Sequence, residues 1–136
     1  MKSITYFFFY LYVAALLLVG ASGVLIAPWE LARVFHVPLS AMPARAMATL
    51  VNQYRFLKGM EFACGCFGWW WRREIFSDPR YLRLFLVIVW AGIAGRLLAV
   101  LLNGMPTALF MAFLLIEAFT GVLMFWTYTR VKYGYR

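Results

Sequence analysis

The chain has 136 residues, 65% of them hydrophobic and 13% charged, with thirteen Lys and Arg against five Asp and Glu for a net charge of +8. Soluble domains run nearer half apolar and a quarter charged, and a chain this short buries only about 60–70% of its surface, so lipid must cover the rest. The basic excess, which would point to nucleic acid in a soluble protein, is accounted for by membrane topology, and no basic helix or base-stacking sheet remains outside the apolar runs, which argues against nucleic acid as a partner.

Four apolar runs each meet the requirement of about 20 residues for a helical span, and the length suggests a single domain, residues 1–136. The first run, 4–27, opens on the aromatic stretch Thr5-Tyr6-Phe7-Phe8-Phe9-Tyr10. Its Met-Lys-Ser start and Gly20-Ala21-Ser22 have the look of a signal peptide. The run continues past that candidate cleavage site, beyond the usual core of roughly 7–15 residues, so a span is expected. Pro28 ends it. The outer loop, 28–45, is the one connection long enough to carry structure, with a short interfacial helix expected around 30–35 and breaks at Pro38 and Pro43. The second run covers 46–71. Asp78-Pro79 marks the turn into the third, 81–102, and Asn103-Gly104-Met105-Pro106 the turn into the fourth, 105–128. Short connections make the second, third and fourth spans antiparallel neighbours. The predicted fold is an all-α integral membrane protein, an antiparallel four-helix transmembrane bundle.

Cations set its orientation, because Lys and Arg collect on the cytoplasmic side. Lys2, Arg72, Arg73, Arg80, Arg83, Arg130, Lys132 and Arg136 fall on one side of these spans, and only Arg33 and Arg45 on the other. Both termini are therefore expected in the cytoplasm. Trp69-Trp70-Trp71, Trp126 and Tyr128 fall at the inner boundary and Trp29 at the outer one, where amphipathic rings prefer to sit.

Ionisable residues inside the spans are the most informative feature. The second span reads Asn52-Gln53-Tyr54-Arg55-Phe56-Leu57-Lys58-Gly59-Met60-Glu61; the third contains Arg96 and the fourth Glu117. An Arg, Lys or Asp at a span centre costs about 2.5–3.5 kcal/mol, so five such groups should face one another rather than lipid. At 1.5 Å per residue, Arg96 lies about 9 Å and Arg55 about 13 Å from the outer ends of their spans, with Glu117 about 18 Å and Glu61 about 22 Å in. An Arg pointing toward the cytoplasm can thus reach a carboxylate below it. One cluster is expected between the second, third and fourth spans, two guanidiniums above two carboxylates, with the first span a lipid-facing wall. Gly92, Arg96 and Ala99 share a stripe, as do Glu117 and Gly121, and Arg55 and Gly59; small residues admit close helix approach.

The plain reading of such a cluster is structural: a paired network that sets helix register. The sharper reading is a binding site. Arg55, Lys58 and Arg96 against Glu61 and Glu117 leave one positive charge uncompensated, suited to an anionic group such as a lipid phosphate or a fatty carboxylate.

Much chemistry is argued against. His36, the only histidine, lies in the outer loop, so neither a bis-His haem nor a His-rich metal site can form within the bundle, and two carboxylates alone are a poor transition-metal set. No Ser-His-acid or Cys-His constellation can form there either, and no glycine-rich phosphate loop occurs. Cys64 and Cys66, two apart on a helix, point about 200° from each other and cannot join as a disulfide; they read as small packing residues. No metal and no cofactor are expected.

The run from Asn52 to Glu61, then Arg72-Arg73-Glu74-Ile75-Phe76 with Asp78, then Gly95-Arg96 and the Glu117 span resemble a bacterial four-helix membrane family classed only as a domain of unknown function, similar in layout to the DoxX-like membrane proteins. The resemblance covers nearly the whole chain and implies an inner-membrane protein with a polar centre, but no reaction. Some DoxX relatives are tied to thiol or quinone redox chemistry; the absence of a vicinal cysteine pair argues against carrying that over.

The expected function is non-enzymatic: an accessory subunit of a membrane assembly, or a binder of a lipid-like or anionic hydrophobic ligand at Asn52, Tyr54, Arg55, Lys58, Glu61, Arg96 and Glu117. Membrane lipid, other membrane subunits or a second copy would be its partners. The alternatives are an intramembrane enzyme using Glu61 or Glu117 as acid or base for isomerisation or cyclisation of a hydrophobic substrate, and a proton-coupled carrier, possible only as an oligomer.

Overall fold

A computed structural model describes residues 2–133, with side chains for residues 3–130. Arg136, placed among the cytoplasmic cations, lies outside the described residues, and Lys2 and Lys132 lie outside the described side chains. All regular structure among the described residues is helical.

α1 (Lys2–Leu25) ends in a bend at Ile26. Pro28 does more than stop it, because a new short helix, α2 (Ala27–Trp29), starts there with the proline in its first turn, where a missing N–H is no loss. α2 runs into a π-type turn over Glu30–Val34, closed by Phe35 N–H donating to Glu30 O at 3.1 Å. His36 then adopts a φ of 54° and Val37 N–H returns to Leu31 O at 2.9 Å, the left-handed closure that commonly ends a helix. The helix expected around 30–35 is present, with wider turns than an α-helix. A 3₁₀ turn at Leu39–Ala41 follows.

α3 (Ala44–Trp70) begins directly after Pro43, and its 27 residues extend about 40 Å. Trp71 interrupts the chain, and a short helix, α4 (Arg72–Ser77), fills much of the connection into α5 (Pro79–Asn103). Asp78 caps α5, its carboxylate accepting from Arg80 N–H at 2.8 Å, with Pro79 at the first position. α6 (Ala108–Tyr133) follows a four-residue turn. Gly104 holds that turn with a φ of 86°, a conformation that favours glycine.

Three helices are long and apolar enough to cross a membrane: Ser3–Leu25, Pro79–Asn103 and Ala108–Arg130. α3 has the length, but Arg45, Arg55, Lys58 and Glu61 dilute its apolar character.

The chain forms two compact units, residues 1–13 with 67–136, and residues 14–66. In the first, α5 and α6 make a hairpin, with Arg83 reaching Tyr128 at one end and Arg96 reaching Glu117 toward the other. The first half of α1 packs into this unit through Phe9, whose ring centroid lies 5.0 Å from Phe76 and 5.2 Å from Phe85. Phe9, Ile75, Leu82, Phe85 and Met124 are fully buried, and Thr120 Oγ1 donates to the carbonyls of Ile116 and Phe8 at 2.8 and 3.3 Å.

In the second unit, the end of α1 meets α3 at close range. A Cβ at Gly20 would lie 2.6 Å from Phe62 N, and one at Gly65 would lie 2.9 Å from Leu17. Small residues are what permit such approach between helices in lipid, where packing rather than water exclusion holds helices together. α1 is therefore no mere lipid-facing wall; both of its halves pack on other helices.

Candidate functional site

Among the described residues, each unit holds one ion pair. In the first, Arg96 Nε donates to Glu117 Oε2 at 2.9 Å and Nη2 to Oε1 at 3.5 Å. Glu117 is 5% exposed and the Arg96 side chain 26%. Gly92, one turn before Arg96, lies beside the carboxylate; a Cβ there would make ordinary contact at 3.7 Å from Oε1. The guanidinium also sits over the Phe110 ring, 5.7 Å from its centroid. Depth and spacing alone predicted these two residues on facing stripes, and they meet.

Arg96 lines a cavity of about 360 Å³ beneath the turn between α5 and α6, together with Ala99, Asn103, Met105, Phe110 and Leu114. Arg96 and Asn103 are the only polar side chains in its wall. Asn103 ends α5 seven residues beyond Arg96, about 10 Å along the axis, so the cavity runs from the turn down to the guanidinium. Its volume falls within the range of about 300–1,000 Å³ common for small-molecule sites. An Arg carries five N–H donors. Glu117 engages two of them, and no other described carboxylate takes the rest.

In the second unit, Lys58 Nζ donates to Glu61 Oε2 at 2.7 Å, one turn along the same helix. Lys58 is only 7% exposed, and its aliphatic stem lies against Gly23, where any Cβ would overlap it. Its ammonium stands 5.4 Å from the Tyr54 ring centroid. Tyr54 Oη in turn donates to Glu30 Oε2 at 2.6 Å, and Ser22 Oγ donates to Glu30 Oε1 at 2.8 Å. Glu30 itself is 9% exposed. The formal charges of Glu30, Lys58 and Glu61 sum to −1, the opposite sign to the excess expected from the second, third and fourth spans.

Each unit thus brings part of the predicted set together. Arg96 joins Glu117, Lys58 joins Glu61, and Tyr54 enters a network with Glu30. Asn52 and Arg55 are exposed on α3, and among the described residues no carboxylate pairs with Arg55. Within its own unit, Lys58 lies on Glu61's face of α3 and takes that carboxylate. No buried side-chain nitrogen or oxygen among the described residues lacks a hydrogen-bond partner, as burial in a low-dielectric interior requires.

Sequence reasoning missed Glu30 and Ser22. Glu30 reads only as the start of a short interfacial helix in the outer loop, with no partner inside the protein. The available signal was the proline itself: at the start of a new helix it redirects the chain, and a carboxylate two residues on can return to the protein.

Residues 4–128 match the family model described as a domain of unknown function (DUF4345). A search of the curated proteins and one of the solved structures returned no match.

Proposed function

The chain belongs to the DUF4345 family, a domain of unknown function, and on that premise we propose that it is a four-span inner-membrane protein that binds an anionic, lipid-like ligand at Arg96. One observation carries the ligand-binding part: a buried carboxylate holds Arg96 in the wall of an apolar cavity of about 360 Å³. Apolar walls take the hydrophobic body of such a ligand, and a guanidinium with unclaimed donors takes its carboxylate or phosphate. Both Glu117 oxygens accept from Arg96, so Glu117 acts by orienting the guanidinium. This favours binding over acid–base catalysis, which needs a carboxylate aimed at substrate.

Four spans follow if α3 is the fourth crossing. Its length exceeds the roughly 30 Å hydrocarbon core, and Lys58 and Glu61 neutralise each other within it. Cation placement then sets both termini in the cytoplasm, and the layout is that of the DoxX-like proteins, four spans with a polar centre.

The test is native mass spectrometry of the detergent-purified protein beside titration with a fluorescent fatty acid. Arg96→Met alone would take the guanidinium away from a buried carboxylate, a loss of about 3–5 kcal/mol. The informative variant is therefore Arg96→Met with Glu117→Gln, which removes both charges together. Wild type is expected to retain an anionic amphiphile and to bind the probe, and the double variant to lose both by at least tenfold while melting within a few degrees. Wild type that neither carries an adduct nor binds the probe overturns the proposal.

A further inference from the structure

The exposed face of α3 has a chemistry that lipid does not match. At 100° per residue, Ala48, Asn52, Arg55, Gly59 and Ala63 fall within about a quarter turn of one another. Ala48, Asn52, Arg55 and Ala63 are exposed, and a Cβ added at Gly59 would meet nothing within 4 Å. Phe56, 63% exposed, flanks them. This face carries small residues, an amide and a guanidinium that no carboxylate among the described residues pairs with.

From this juxtaposition we infer that the Asn52/Arg55 face docks a membrane helix of another protein that carries an Asp or Glu near mid-depth. The inference rests on α3 being a span. Arg55 stands eleven residues after Ala44, where α3 begins, which is about 16 Å along the axis. Even with the roughly 10 Å by which α3 exceeds a 30 Å hydrocarbon core shared between its two ends, Arg55 lies about 11 Å inside that core. An Arg at that depth is stable only against protein or water, and the complement to its charge is a carboxylate carried at the same depth. Gly59, Ala48 and Ala63 let a partner backbone approach closely enough for that contact, and Asn52 adds an interhelical hydrogen bond. A second copy of this chain is a poor occupant. It would bring Arg55 against Arg55, and the one carboxylate of α3, Glu61, is already held by Lys58.

The full-length protein, reconstituted in phosphatidylcholine vesicles, is mixed with a fluorescent single-span Leu/Ala helix bearing one central Glu, or Leu in its place, and association is read by energy transfer. The Glu probe is expected to associate at least tenfold more tightly than the Leu probe. Arg55→Leu should erase the difference, and Arg55→Glu should transfer the preference to a probe bearing a central Arg. Equal association of the two probes, or no effect of Arg55→Leu, overturns the inference. So does self-association of two labelled copies that is lost on Arg55→Leu, or displacement of the Glu probe by phosphatidylglycerol. Depth is checked separately with an impermeant maleimide on Asn52→Cys in a Cys64→Ala/Cys66→Ala background. If Cys at 52 is protected while Arg45→Cys reacts, the span stands and failed docking overturns the docking alone. If both react, the four-span reading falls and the docking inference with it.

Discussion

Gly20 and Gly23 lie one turn apart on α1, and the space each leaves serves a different kind of neighbour. At Gly23 the neighbour is the flexible Lys58 stem; at Gly20 it is the α3 backbone, with Phe62 N at 2.6 Å and Phe62 Cα at 2.8 Å from an added Cβ. Gly23→Ala should force Lys58 aside and break its pair with Glu61, with a loss of about 1–3 kcal/mol for overpacking. Thermal unfolding in detergent should then show that Lys58→Ala added to Gly23→Ala costs less than the sum of the two single losses, since the residues share one contact. Gly20→Ala should be more damaging, and no side-chain truncation on α3 should relieve it, because backbone cannot retreat. Strict additivity of Gly23→Ala and Lys58→Ala would show that the stem does not depend on the gap.

Among the helices, α5 displays most directly how local sequence sets an element. Asp78 and Pro79 supply the cap and the first position, and the carboxylate accepts from the Arg80 N–H. Asp78→Ala should lower stability by about 1 kcal/mol and Asp78→Ser by much less, read as melting temperatures of the purified protein; equal losses would mean that the cap is not the source. α3 is the contrasting case. Its helix is evident from the sequence, yet its charges keep it out of the set of helices apolar enough to span, and the Lys58–Glu61 pair offsets only two of them. Glu30 and Ser22 belong to this scale too. They were not legible, because the restart of the helix at Pro28 and the π-type turn after it decide where the Glu30 carboxylate goes, and neither leaves a periodic signal.

For the molecule as a whole, the testable property is its topology. With α3 as a fourth crossing, eight cations fall on one side against Arg33 and Arg45 on the other, a bias that should hold both ends of the chain in the cytoplasm. Fluorescent protein fused after Arg136 should therefore be bright, and alkaline phosphatase fused there inactive. The same phosphatase inserted after Ser40 should be active. An active phosphatase at the C-terminus would reverse the orientation or remove one crossing.

Sequence alone determined that the chain is helical and meets lipid, because an excess of apolar residues in runs of about 20 has no other stable arrangement. It also placed Arg96 and Glu117 among the charges that should face one another rather than lipid, without fixing which would pair. Only the tertiary structure decided how those charges sort. Lys58 takes Glu61, Tyr54 takes Glu30, and Arg55 is left facing outward. The physical reason is that an ion pair is settled by angles about a helix axis and by where a neighbouring backbone leaves room for a side chain. Gly23 and the restarted helix at Pro28 supply that room through contacts between segments far apart in the chain.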